Sequence, residues 1–157
     1  MVKKQRGVAQ PSAPRYQAGS RAAQPLKAWL SPDIERRLAL VEQIREGFSF
    51  DLVGTLAKQA GVALEELIAF DIIPRRTWSH SKQHARFTPT QSARLARFFR
   101  IQQRARSTFG AKNKAMQWLK RPTRPLHGNA PIALLDTEEG ARLVEELLTR
   151  IDHGIAA

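Results

Sequence analysis

The 157-residue chain contains no cysteine, only two methionines and a single tyrosine. Without cysteine there is no disulfide framework and no thiolate metal centre, and the composition fits a reducing cytosol. No apolar run approaches the roughly 18 residues that a membrane span needs, and the N-terminus lacks the apolar core of a secretory signal. Its acid-free start has the composition of a transit peptide, but Pro11, Pro14, Gly19 and Pro25 interrupt the amphipathic helix such a peptide requires. Nucleophile elbows, glycine-rich phosphate loops and convergent carboxylate pairs are missing too. Neither an enzyme nor a bound cofactor is expected.

The most informative absence is one of charge. Residues 72–135 hold no aspartate or glutamate and fourteen lysines and arginines. Residues 1–30 hold six bases and no acid, residues 31–71 four bases against eight acids, and residues 126–157 two against six. Two acidic segments therefore bracket a basic one, in a chain of formal net charge +12. A basic stretch of this length favours a polyanion, because binding releases condensed counterions. The asymmetry predicts two different binding surfaces.

What is present reads as all-α. Residues 1–30 form a flexible, basic N-terminal arm, rich in Gln, Ala, Pro and Ser, whose few apolar residues cannot offset the entropy of ordering. Ser31-Pro32-Asp33 is a helix start, followed by Ile34, Leu38, Val41 and Ile44 at helical spacing up to Gly47. A second helix spans residues 51–60, with Leu52, Leu56 and Ala60 on one side and Gly61 closing it. A third runs over 64–70, and Pro74 opens a short basic helix, Arg75-Arg76-Thr77-Trp78-Ser79-His80-Ser81-Lys82. Thr88-Pro89-Thr90-Gln91 is a capping box with proline at the first helical position. The helix it starts places Leu95, Phe98, Gln102, Ala105 and Phe109 on an apolar side, with Arg97, Arg100 and Arg104 opposite, facing phosphate or solvent. A shorter helix covers 113–119, and prolines 122, 125 and 131 with Gly128 make residues 122–131 a folded connector. The last helix starts near Asp136 and carries Val144, Leu147, Leu148, Ile151 and Ile155 as a stripe.

Two short helices across a tight turn, 64–70 and 74–82, form a helix-turn-helix whose second helix enters the major groove. Arg75, Arg76, Thr77, Ser79, His80, Lys82 and Arg86 are the candidate DNA contacts, reaching base edges or phosphates, and Trp78 anchors the helix in the core. His80 and His84 stand four apart, but no third ligand is near in sequence, so no metal site is expected. A single short recognition helix reads few base pairs, which predicts a two-fold homodimer. Helix 33–46 is favoured as its surface over the helix after Pro89.

From about Phe48 onward the order of motifs resembles the Xre/MbcA/ParS family of bacterial antitoxins. Leu64-Glu65-Glu66-Leu67 and Ile73-Pro74-Arg75-Arg76-Thr77-Trp78 are similar to its Xre-like helix-turn-helix. Its toxin-binding domain is resembled by Phe109-Gly110, Ala115-Met116-Gln117-Trp118-Leu119 and Pro122. The match continues in Leu126-His127-Gly128-Asn129-Ala130-Pro131, Leu134-Leu135, Thr137-Glu138-Glu139-Gly140 and Arg150-Ile151-Asp152-His153-Gly154. Two departures stand out. Ser79-His80-Ser81 replaces an arginine run, which leaves the operator sequence open. Gln91-Ser92 replaces Glu-Ser, which removes an acid able to pair with the recognition helix.

The resemblance implies a helix-turn-helix domain over residues 31–108, a small helical toxin-binding domain over 109–157, and a type II antitoxin. The implied partner is a RES-domain toxin that consumes NAD, or a ParT-like toxin that transfers ADP-ribose from it. The antitoxin would cover the toxin's active-site entrance and repress its own operon. Trp118, Leu119, Leu126, Gly128, Pro131, Leu135, Arg150 and Ile155 are the expected toxin-binding positions, and the acidic last helix offers a surface of opposite charge. Deletion of residues 136–157 should then abolish neutralisation and spare DNA contact. Two other readings compete. One is a stand-alone dimeric regulator without a toxin. The other is a non-specific nucleic-acid binder that stacks bases on Trp78 and Phe98 or Phe99.

Overall fold

The structure, a computed structural model, describes residues 33–155, so the N-terminal arm lies outside the described residues. In chain order the helices are α1 (Ile34–Glu46), α2 (Phe50–Ala60), α3 (Leu64–Ala69), α4 (Arg75–Gln83), α5 (Pro89–Phe109), α6 (Lys112–Lys120) and α7 (Glu138–Asp152). Single 3-10 turns at Arg124–Leu126 and Pro131–Leu134 shape the connector between α6 and α7. Among the described residues the only β contact is an isolated antiparallel bridge between Ser49 and Arg86. The chain is all-α, as its patterning predicts.

The organising element is α5. Thr88 Oγ1 accepts from Gln91 N and Gln91 Oε1 accepts from Thr88 N, which closes the expected capping box. Beyond that start, burial is less one-sided than the sequence suggests. Leu95, Phe98, Phe99, Ile101, Gln102 and Ala105 are all buried, because α5 touches α1, α2, α6 and α7 on different sides. Gln102, expected on an apolar face, donates from Nε2 to the Ala60 carbonyl at 2.9 Å. It thereby satisfies one of the carbonyls that the end of α2 leaves without a helical partner. Phe98 and Phe99 are sealed in the core, so neither can serve as a base-stacking platform.

Several local expectations shift by a residue or a face. The cap of α1 is Asp33, whose carboxylate accepts from Glu35 N; Ser31 and Pro32 lie outside the described residues. On α2 the buried set is Val53, Leu56, Ala57 and Ala60, while Leu52 sits at the margin of the core. Ile155 lies past the end of α7 and is 54% exposed, so it does not extend the stripe of Val144, Leu147 and Leu148. Gly140 is required by packing, since a Cβ there would collide with the Leu134 carbonyl. That close approach seats the first turn of α7 on the second 3-10 turn.

Candidate nucleic-acid interface and partner-facing helix

Helix α3 ends at a turn that hands the chain to α4. Asp71 takes φ +52° there, in the left-handed region where aspartate is among the better tolerated residues. Asp71 N donates to Ile68 O and Ile73 N to Leu67 O, which folds the turn back on α3. Ile72 and Ile73 are buried beneath it. Helix α4 is then clamped from one side only. The Trp78 ring lies 4.7 Å from Phe50 and 5.9 Å from Phe87, which fixes the roll of the helix as expected. Ser81 is buried, and its hydroxyl donates to Gln91 Oε1 at 3.4 Å. The neutral Gln91 thus keeps the tie to α4 that an acid at that place would have made.

The opposite side of α4 is open. Arg75, Arg76, Ser79, His80 and Lys82 are exposed, and Thr77 is half-buried. Arg75, Arg76 and Lys82 form no ion pair with another described residue. Two arginines at the positive end of a helix dipole, with no acid in the first turn, are electrostatically unfavourable until an anion arrives. Ser79 Oγ donates to its own helix at Arg75 O, and the His80 and His84 rings meet at a tilt, their centres 4.2 Å apart. Arg86 differs from the rest. Its guanidinium donates to the carbonyls of Glu46 and Gly47 at 3.1 and 2.6 Å, so it first serves to hold the α1–α2 junction.

The second surface begins with the pairing of α5 and α7. Arg97 and Arg100 bond Glu138 at 2.9 and 2.8 Å, Arg100 meets Glu145 at 3.0 Å, and Arg104 meets Asp152 at 2.6 Å. These arginines were expected to face phosphate or solvent. The structure corrects that: every seventh residue on α7 carries the acid that matches them. Glu138, Glu145 and Asp152 are thus paired inside the chain, and the acids that α7 leaves outward are Glu139 and Glu146. What α7 presents outward is Leu143, 47% exposed, with Arg142, Glu146 and Arg150 around it.

Of the expected toxin-binding positions, Leu119, Leu126, Pro131 and Leu135 are buried and hold the connector rather than offering contact area. Trp118 is half-buried, 5.3 Å from the Phe109 ring. Gly128, Arg150 and Ile155 are exposed. Leu143 is exposed and belongs to none of the sequence motifs. Its place one residue off the buried stripe of an amphipathic helix was the available signal.

Two carboxylates bind the fold across long intervals. Glu66 bonds both Lys120 and the Ala63 N–H, and the Lys120 bond chiefly holds its carboxyl below the ordinary 4.5. Burial pushes Glu138 up, but the bonds from Arg100 and Arg97 prevail and leave it lowered. A lowered folded-state pKa gives stability that is complete above about pH 4.5 and lost as pH falls through the folded value. The thermal midpoint should therefore drop on acidification from pH 6 to pH 3.5, and by less in Glu66→Gln than in the unmodified protein. Equal drops would show that the Glu66 pair contributes nothing.

Comparison with known proteins joins the two surfaces. The model of the Antitoxin Xre-like helix-turn-helix domain matches residues 39–100, and that of the Antitoxin Xre/MbcA/ParS C-terminal toxin-binding domain matches residues 104–154. A protein named Antitoxin Xre from Yersinia enterocolitica is 37% identical over 122 residues, covering 76% of this chain and 82% of the relative. This chain belongs to the Xre/MbcA/ParS antitoxin family. Antitoxin Xre proteins of Photorhabdus laumondii and Pseudomonas putida are 35% and 30% identical, over 73% and 78% of this chain and 78% and 77% of their own lengths. In this antitoxin, α3 and α4 fall within the helix-turn-helix match and α6 to α7 within the toxin-binding match. Helix α5 begins in the first and ends in the second. Among the described residues no helix is long and apolar enough to cross a membrane, and no group of three or more metal-ligating side chains comes together.

Proposed function

We propose that this chain is the antitoxin of a type II toxin–antitoxin pair acting in the bacterial cytoplasm. Its partner is a RES-domain toxin that consumes NAD, or a ParT-like toxin that transfers ADP-ribose from it. The antitoxin covers the entrance to the toxin's active site and, as a homodimer, binds operator DNA to repress its own operon. It is not itself an enzyme and needs no cofactor.

The reading is carried by one observation: α4, seated on Phe50 of α2 and tied to Gln91 at the start of α5, and α7, packed along α5, present two open faces of different chemistry. On the α4 face, unpaired Arg75, Arg76 and Lys82 with Ser79 and His80 suit phosphates and base edges. On the α7 face, Leu143 and Arg150 near Ile155 combine an exposed apolar anchor with a charged rim, the makeup of a protein interface. The dimer is supported by α1, which has no buried residue. Ile34 and Leu38 are 70% and 60% exposed, and with Val41 they make a stripe along it. Pairing two such stripes would bury them, and a two-fold dimer reading successive half-sites needs its recognition helices about 34 Å apart.

Co-expression tests the toxin partner. The product of the neighbouring reading frame should arrest growth alone and lose that effect when this protein is present. Undiminished toxicity would leave a stand-alone regulator as the better account.

A further inference from the structure

The structure divides the fourteen bases of the acid-free block into spent and unspent. Arg86, Arg94, Arg97, Arg100, Arg104 and Lys120 are engaged with carbonyls or carboxylates of the chain. The unspent ones fall mainly into two groups, one on α4 and one on α6 and the connector. In the second group Lys114 lies on the exposed side of α6 with Gln117, Arg121 caps the helix seven residues after Lys114, and Arg124 follows in the first 3-10 turn. None of these three cations pairs with another described residue.

We propose that Lys114, Arg121 and Arg124 hold the phosphate backbone of the same DNA whose bases α4 reads. The inference rests on the DNA-binding reading of α4. It places a nucleic-acid contact inside the segment that matches the toxin-binding domain. Two features favour a polyanion over a protein here. The exposed large hydrophobics among the described residues are Ile34, Leu38, Val41, Leu143 and Ile155. Trp118, one turn from Lys114, is half-buried against Phe109, so this basic side of α6 lacks the fully exposed apolar anchor that a protein interface uses and a phosphate backbone does not need. Position is the other feature. The Lys120 ammonium lies 5.0 Å from the centre of the Phe70 ring and bonds Glu66 of α3. The end of α6 thus abuts the turn that leads into Arg75.

Spacing and rigidity agree with this. Seven residues of helix span about 10 Å, and one DNA strand presents a phosphate about every 3.4 Å of axis. The connector is fastened by Thr123 N to Asn129 O, Gly128 N to Thr123 O, and Asn129 Nδ2 to Leu126 O. Arg124 thus projects from an ordered turn and loses little backbone freedom on binding.

The test measures affinity for a duplex spanning the region upstream of the protein's own reading frame across a series of salt concentrations. Each phosphate contact contributes about 0.9 to the log–log salt slope. The triple variant Lys114→Gln, Arg121→Gln, Arg124→Gln should flatten the slope by roughly 2.7 and still neutralise the toxin. An unchanged slope, with Arg76→Ala still weakening binding, overturns this inference and leaves the α4 reading standing. If neither variant matters, both fall. Loss of neutralisation with an unchanged slope would assign the face to the toxin instead.

Discussion

Replacing Phe99 by alanine is expected to cost about 3–5 kcal/mol of stability and, with it, both binding activities. Phe99 is fully buried at the middle of α5 and meets Phe98 edge-on at 5.3 Å. The helix that carries it packs against α1, α2, α6 and α7. A cavity there weakens the support of both faces at once. Domains of this size retain only about 5–15 kcal/mol in total, so a large share of that margin would go. Urea unfolding gives the loss, and DNA binding and toxin inhibition measured on the same sample should fall together. A variant that loses one activity and keeps the other at full strength would show that α5 does not unite them.

The second large effect is expected from Arg76→Ala, which should weaken binding to the protein's own promoter by about 1–3 kcal/mol, roughly 5- to 150-fold. Arg76 is exposed, has no ion pair with another described residue and sits in the first turn of a helix held by Trp78 and Ser81. Helical content should not change, since the side chain supports nothing else. Random duplex of equal length should be affected much less if Arg76 touches a base. Equal affinity for promoter and random DNA, with an unchanged salt slope in the variant, would point to non-specific basic contact.

Local chemistry was legible in the sequence, and pairing at a distance was not. The Thr88–Gln91 capping box, the proline- and glycine-rich connector over 122–131 and the inward Trp78 follow from spacing alone. The pairing of Arg97, Arg100 and Arg104 with Glu138, Glu145 and Asp152 does not, because its partners lie some forty or more residues apart. Their side of α5 looked outward as long as α5 was read by itself. The same blindness affected the site. Leu119, Leu126 and Leu135 stand out as a motif, yet they are buried and act by shaping the connector, whereas Leu143 attracts no notice beside Val144. Val144 and Leu148 also belong to the shared core. Deleting residues 136–157 would therefore remove core together with surface and could not separate neutralisation from DNA binding. Surface substitutions on α7 are the cleaner probe.

The central claim, two binding faces on one helix-centred fold, is tested most directly by titrating the purified neighbouring gene product, assayed for the proposed NAD-consuming or ADP-ribosylating activity, with this protein. The account predicts stoichiometric loss of that activity with the unmodified protein and with Arg76→Ala, and a clearly weaker effect with Leu143→Asp. Toxin activity that persists at saturating antitoxin, or inhibition that Arg76→Ala removes and Leu143→Asp leaves intact, would contradict it.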